Sequence, residues 1–316
     1  MGQGVFFGLG VYAMAMHMKL EAAGPGEVPD FMVLYGDGTM PSWWEPFRSA
    51  PFTVFAIVAL PAVVAYIIGY AILKRRVKGA YFAILTQALA VAFATLLIAT
   101  IKQTGGFNGL NTFTTFFGHN LYDPQVKKNL YLVAAGLVIV FLVVLWQLYR
   151  SRFGELLIAT RDAEERIRFL GYDPANIKLI AFVVAAVMAS VGGAIFVPIA
   201  GIISPSNVDA PASILLIAGV ALGGRASLLG PVLGAIAVGY GRSTLSERFP
   251  TQWTYFQGAL FIVVILLLPS GVASMRSAVK ALWSKVTSLS PKNAPSVDVG
   301  VELDRDRDHA KSEALA

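Results

Sequence analysis

The chain has no cysteine and only three histidines, His17, His119 and His309, far apart in sequence. Without cysteine there are no disulfides, no thiolate metal sites and no cysteine nucleophile, and the redox compartment cannot be read. The scattered histidines offer no second ligand at metal spacing. Charge is also scarce: 14% of the 316 residues are Asp, Glu, Lys or Arg, against about a quarter in ordinary soluble domains. Hydrophobic residues make up 56% and the mean hydropathy is +0.65. These values exclude an ordinary soluble domain and point to a polytopic membrane protein. The net charge of +6 then belongs to cytoplasmic loops and not to nucleic-acid binding. There is no GxxxxGK[ST] phosphate loop, so the chain does not bind ATP in the Walker manner. Gly8, Gly10 and Ala13 fit the dinucleotide pattern GxGxxA, but they lie inside an apolar run with no strand before it. No acid–base pair or nucleophile set emerges, which argues against an enzyme.

What the chain does have is apolar runs. Those at 4–20, 52–73, 80–101, 129–149 and 179–200 are long enough, or nearly so, to cross a bilayer. Three more, 211–223, 227–241 and 254–269, are shorter or broken. The expected fold is all-α with about eight transmembrane segments, or seven if 211–241 forms a re-entrant hairpin. Lys74, Arg75, Arg76 and Lys78, then Arg150 and Arg152, then Arg225, then Arg276 and Lys280 fall in alternate intervals, which the positive-inside rule places in the cytoplasm. The interval 21–51 carries Glu21, Glu27, Asp30, Asp37 and Glu45 against Arg48 alone and falls outside. Trp43 and Trp44 in this Pro-rich loop suit the membrane interface, as anchors or as part of a contact with a binding protein.

No Asp, Glu, Lys or Arg lies in the middle of any of the eight runs. Carriers driven by ions or protons keep such groups at depth. A neutral path without a coupling site takes its energy from elsewhere, which favours an ATP-driven permease over a secondary carrier. A self-sufficient channel is the competing class. Gln87 and Thr86 are the strong polar groups of the third run, suited either to helix–helix hydrogen bonding or to a solute path. The same run ends in Thr104, Gly105, Gly106, Phe107, Asn108, Gly109, Leu110 and Asn111, where clustered glycines let backbone approach a small molecule or another helix. Gln87, Thr104, Gly105, Gly106, Asn108, Gly109 and Asn111 are therefore the candidate translocation path.

One long charged interval, 150–178, interrupts the apolar chain. Its pattern predicts a short helix over 163–170, capped by Asp162, with Glu165 completing a capping box, Gly171 at C′ and Pro174 blocking continuation. Ala163, Ile167 and Leu170 form an apolar stripe, and Asp162/Arg166 and Glu164/Arg168 stand in the favourable acid-first i,i+4 order. From this pattern alone, a solvated loop helix and a docking element fit equally well.

Here the sequence resembles a family, the permease subunits of ATP-binding-cassette importers for branched-chain amino acids and urea. Ala163, Glu164, Glu165 and Gly171 match its cytoplasmic coupling helix, and the TGG..GL run at 104–110, GGRASLLGPVLGA at 223–235 and the closing run at 249–272 match its other marks. Loop 28–44 and the run 249–261 look more like the urea type (UrtC) than the amino-acid type (LivM). The resemblance implies urea as solute, with branched-chain amino acids as the alternative, ATPase contact through Arg161, Asp162, Ala163, Glu164, Glu165, Arg168 and Gly171, and no cofactor on this chain, ATP and Mg being held by partners. The implied partners are a homologous second permease, two cytoplasmic ATPases and an external solute-binding protein, in a bacterial inner membrane. Relatives carry a further apolar stretch before the equivalent of Gly2-Gln3-Gly4, so spans preceding Met1 are expected. The permease domain is expected over 1–273, an amphipathic surface helix over 274–287 and a disordered tail over 288–316.

Overall fold

The computed structural model describes residues 2–249 other than 76, 78, 225 and 226, together with 252, 255, 256, 258, 259 and 262. The architecture is helical, as the apolar runs require. In order, the helices are α1 (Gln3–Ala23), α2 (Asp30–Tyr35), α3 (Ala50–Lys74), α4 (Ala80–Ala99), α5 (Ile101–Thr104), α6 (Pro124–Arg150), α7 (Arg152–Asp162), α8 (Glu164–Phe169), α9 (Pro174–Ala200), α10 (Ala210–Gly223) and α11 (Gly230–Arg248). Among the described residues, four two-residue strands accompany them: β1 (Leu110–Asn111), β2 (Thr115–Phe116), β3 (His119–Asn120) and β4 (Ile202–Ile203). β1 pairs with β4 and β2 with β3, both antiparallel. Also among the described residues, five stretches are long and apolar enough to cross a membrane: Ala50–Lys74, Ala80–Ala99, Pro124–Arg150, Pro174–Ala200 and Pro205–Gly223.

α1 is the axis of the bundle. It is apolar on every side and buried along nearly its whole length, from Gly4 to Leu20, the pattern of a helix surrounded by others. α9 runs alongside it and α3 packs against both. Lipid tails are as apolar as leucine, so helices in a bilayer associate by close backbone approach through small residues and by hydrogen bonds. Both devices meet at one point. A side chain on Gly10 would run into Ser190 of α9, and one on Gly193 would run into the Phe7 carbonyl of α1. Pro61, inside α3, has no N–H to give the carbonyl four residues back. That carbonyl belongs to Ile57, and the buried Ser190 hydroxyl donates to it at 2.7 Å. α1, α3 and α9 are thus locked at Gly10, Ile57 and Ser190.

The outer loops fold onto the end of α1. His17 Nδ1 lies 2.8 Å from the Phe47 carbonyl, and Glu21 accepts from the backbone N–H groups of Phe117 and Gly118. Trp43 is half-exposed, as an interface residue should be, but Trp44 is fully buried against Phe31 and is no anchor. α10 and α11 form an antiparallel pair in which Gly223, Gly230 and Gly234 lie too close to the facing helix or turn for any side chain, and Gly219 packs tightly on Ala235. α10 has 14 residues, about 21 Å of helix against about 30 Å of hydrocarbon. α11 continues to Arg248, beyond the expected end at 241, because Arg242–Arg248 holds no proline or glycine to stop it. The expected run 254–269 falls largely, and the surface helix 274–287 and tail 288–316 fall wholly, outside the described residues.

Candidate functional site

The charged interval between α6 and α9 folds as two helices in place of the single one expected. Ser151 caps α7, its hydroxyl accepting from the Gly154 N–H at 3.4 Å. Asp162 therefore ends a helix and does not begin one. Its carboxylate takes the neighbouring Arg161 guanidinium, with Nε 2.7 Å away, so the capping box with Glu165 does not form and Arg166 is not its partner. Arg161 holds the Asp162 carboxyl below the usual aspartate range. The break falls at Ala163, at φ −149° and ψ 67°, where no described side chain caps the start of α8.

The far end of α8 agrees closely with the sequence pattern. Gly171 stands at φ +86°, in the left-handed region that glycine enters without penalty. Its N–H donates to the Arg168 carbonyl at 2.9 Å and the Tyr172 N–H donates to Ile167 at 3.2 Å, the paired bonds of a Schellman ending. Pro174 opens α9 as well as closing the loop: Asp173 caps it, accepting from the Ala175 N–H at 3.0 Å, and proline fills the first helical position, where no donor is needed.

Among the described residues, one ion pair braces α8 internally and two fasten it and its loop to the bundle. Glu164 holds Arg168 at 3.1 Å through one oxygen, the expected i,i+4 pair, and Lys178 of α9 at 2.9 Å through the other. Lys74, at the end of α3, reaches Asp173 at 2.7 Å. Its hydrogen bond holds the Asp173 carboxyl below the usual range, against a smaller opposing effect of burial. These groups ring a polar cavity of about 340 Å³. Ile167 is buried at 5% exposure, whereas Phe169, Leu170 and Tyr172 stand out at 91%, 72% and 53%. The apolar stripe expected at Ala163, Ile167 and Leu170 is thus divided: Ile167 grips the bundle, and Leu170 joins Phe169 and Tyr172 on the outside. Glu165 is exposed and Glu164 mostly covered.

Sequence reasoning missed Phe169, Tyr172, Lys74, Asp173 and Lys178. Asp173-Pro174 is a readable helix start, but the partner of Asp173 lies 99 residues away, beyond any local pattern.

The candidate path residues do not converge. Thr104, Gly105, Gly106, Asn108, Gly109 and Asn111 gather beyond the outer end of α4, while Gln87 sits in its first half, about 18 Å of helix before that end. The buried Gln87 Oε1 has no hydrogen-bond partner among the described residues. Thr104 is buried and donates to the Leu97 carbonyl at 2.6 Å, and Asn108 Nδ2 donates to the Tyr35 hydroxyl at 3.2 Å. Gly105, Gly106 and Gly109 all have positive φ, and a side chain on Gly109 would overlap the Ile203 carbonyl. The backbone that these glycines admit is the protein's own.

Residues 1–268 match the protein family described as Branched-chain amino acid transport system / permease component. The chain belongs to this permease family. It is 31% identical over 248 residues to the High-affinity branched-chain amino acid transport system permease protein LivM of Escherichia coli (strain K12), an alignment covering 71% of this chain and 57% of that protein. Similarity to the Ribose import permease protein RbsC of the same strain is 26% over 227 residues, covering 69% and 68%. The Autoinducer 2 import system permease protein LsrC of Photorhabdus luminescens is 29% identical over 138 residues, covering 42% and 41%. The chain spans 57% and 55% of the lengths of the two LivM proteins it matches. No solved structure matches it. Family and apolar helices agree that the permease is a multi-pass inner-membrane protein.

Proposed function

We propose that the chain is the membrane permease subunit of an ATP-driven importer of branched-chain amino acids, alternating access when cytoplasmic ATPases bear on α8. Two such ATPases, a second permease subunit and an external binding protein complete the assembly. The observation that carries this reading is the construction of α8. It is short, closed by a Schellman ending, ion-paired to the bundle, and presents Phe169, Leu170 and Tyr172 outward at the membrane end where the basic residues lie. A channel needs no such element. An exposed apolar patch on a fastened helix is a surface for a protein partner.

Branched-chain amino acids take precedence over the urea expectation because relatives in this family carry the former in their names. The likeness of 28–44 and 249–261 to urea-type subunits has no matching support. Arg161, Asp162, Ala163, Glu164, Glu165, Arg168 and Gly171 remain the proposed coupling residues, now joined by Phe169, Leu170 and Tyr172. Gln87, whose buried oxygen has no partner among the described residues, is the path candidate best supported. The test is reconstitution of the whole complex and measurement of ATP-dependent uptake of labelled leucine beside labelled urea. Leucine uptake is expected; uptake of urea alone would overturn the substrate, and uptake of either without ATP would overturn the class.

A further inference from the structure

α9 is tied at both ends and along its length. At the cytoplasmic end Lys178 holds Glu164 of α8 at 2.9 Å, and the Asp173 cap holds Lys74 of α3 at 2.7 Å. In the middle, Ser190 and Gly193 lock it to α1 and α3. At the outer end it turns at Gly201 directly into β4, whose Ile203 and Ile202 pair with Leu110 and Asn111 of β1. Gly109 lies on the same backbone so closely that no side chain fits between. With 27 residues, the helix spans about 40 Å, the full thickness of a bilayer. A packed helix of this length carries displacement along its axis, because close-packed interiors are bistable and not continuously deformable.

We propose that α9 is a strut latched to α8 by the Glu164–Lys178 ion pair, so that movement of α8 on the cytoplasmic side shifts the Gly105–Asn111 segment on the outer side. The latch rests on the permease reading above. It adds a positioning role for Lys178, which lies on α9 and outside the outward patch of α8. It also gives a reason for β1–β4: two residues on each side form a small sheet, but they join the end of the strut to the loop that closes α4.

The absence of cysteine from the chain makes the test clean. Asn111 is exposed, and an Asn111→Cys variant provides the only thiol of this chain. In the full complex in nanodiscs, the rate of labelling by a membrane-impermeant maleimide is measured with and without ATP, Mg and vanadate. A coupling free energy of ordinary size changes the rate by about tenfold. Adding Lys178→Gln abolishes that change while the ATPases still co-purify and still hydrolyse ATP, and Lys178→Arg, which keeps the charge pair, preserves it. A response that survives Lys178→Gln overturns the latch, as does a Lys178→Gln complex that loses its ATPases together with the response. No ATP response with Lys178 intact overturns the strut. Failure of any ATPase to co-purify with the unsubstituted chain would instead sink the permease reading itself.

Discussion

Replacing Gly10 with alanine adds one methyl group at the point where α1, α3 and α9 meet. The new Cβ would stand 2.5 Å from Ser190 Oγ and closer still to the Ser190 carbonyl. Ordinary carbon contacts begin near 3.5 Å, so α1 and α9 must part by about 1.5 Å, because the nearest atom is backbone and no rotation of the Ser190 side chain relieves it. Overpacking of this kind costs about 1–3 kcal/mol. If that displacement of α9 carries Ser190 away, the Ile57 carbonyl, already deprived of its helical donor by Pro61, loses the hydroxyl at 2.7 Å, and an unmet buried acceptor costs about 1–3 kcal/mol more. Alanine returns about 0.5–1 kcal/mol through its better helix propensity. The net is a loss of roughly 2–4 kcal/mol, well above the gain.

The control is Gly136→Ala in α6, where no described atom lies within 4 Å of the added carbon. There only the propensity gain operates, so the two substitutions should move stability in opposite directions. Thermal unfolding of the purified protein in detergent, monitored by loss of the monodisperse peak, separates them: Gly10→Ala falls by several degrees and Gly136→Ala holds or rises. Ser190→Ala should resemble Gly10→Ala, and the double variant should fall short of the sum, because both changes remove one hydrogen bond. Equal stability of the two glycine variants would refute the three-helix lock.

Phe169→Ser with Leu170→Ser removes two outward side chains that are 91% and 72% exposed. Since burying each at an interface is worth about 1.5–3 kcal/mol, ATPase affinity should fall at least about tenfold with membrane insertion unchanged, as read by titration of the solubilised complex. Glu164→Lys should reduce the uptake obtained per ATP hydrolysed more than Glu165→Lys, because Glu164 holds Arg168 and Lys178 at once while Glu165 is exposed; equal effects in proteoliposomes would count against the ion-pair network. Asp173 is held below the ordinary aspartate range by Lys74, so its share of stability is present above that range and is lost only as pH falls beneath it. Unfolding midpoints of the wild-type chain and Asp173→Asn should therefore differ at neutral pH and converge in acid below the usual aspartate pKa.

Local features of the chain were readable because their physics is local. A glycine after a short charged helix gave the left-handed ending at Gly171, and the apolar runs gave α3, α4, α6 and α9, though α6 and α9 each begin five residues early because Asp123-Pro124 and Asp173-Pro174 are helix starts. The misreading at Asp162 shows the limit. A capping residue is recognised by the residues C-terminal to it, but here Ser151 had already started a helix that consumes Asp162 from behind, and Arg161 competes for its carboxylate at 2.7 Å. Trp44 failed for a related reason: its neighbour Trp43 does lie at the surface, and nothing in the dipeptide says which indole turns toward Phe31. The glycines at 105–109 announce close backbone approach without saying to what, and the answer, Ile203, is fixed only when α9 returns to the outer side. Pro61 poses the same kind of question. A proline inside an apolar run declares that the carbonyl four residues earlier needs a donor, and in a bilayer that need must be met by protein. The donor is Ser190, 133 residues along the chain from Ile57. A serine in another apolar run then reads as a hydroxyl in search of an acceptor, so the two halves of the bond are each visible in the sequence while their pairing is a property of the packed helices.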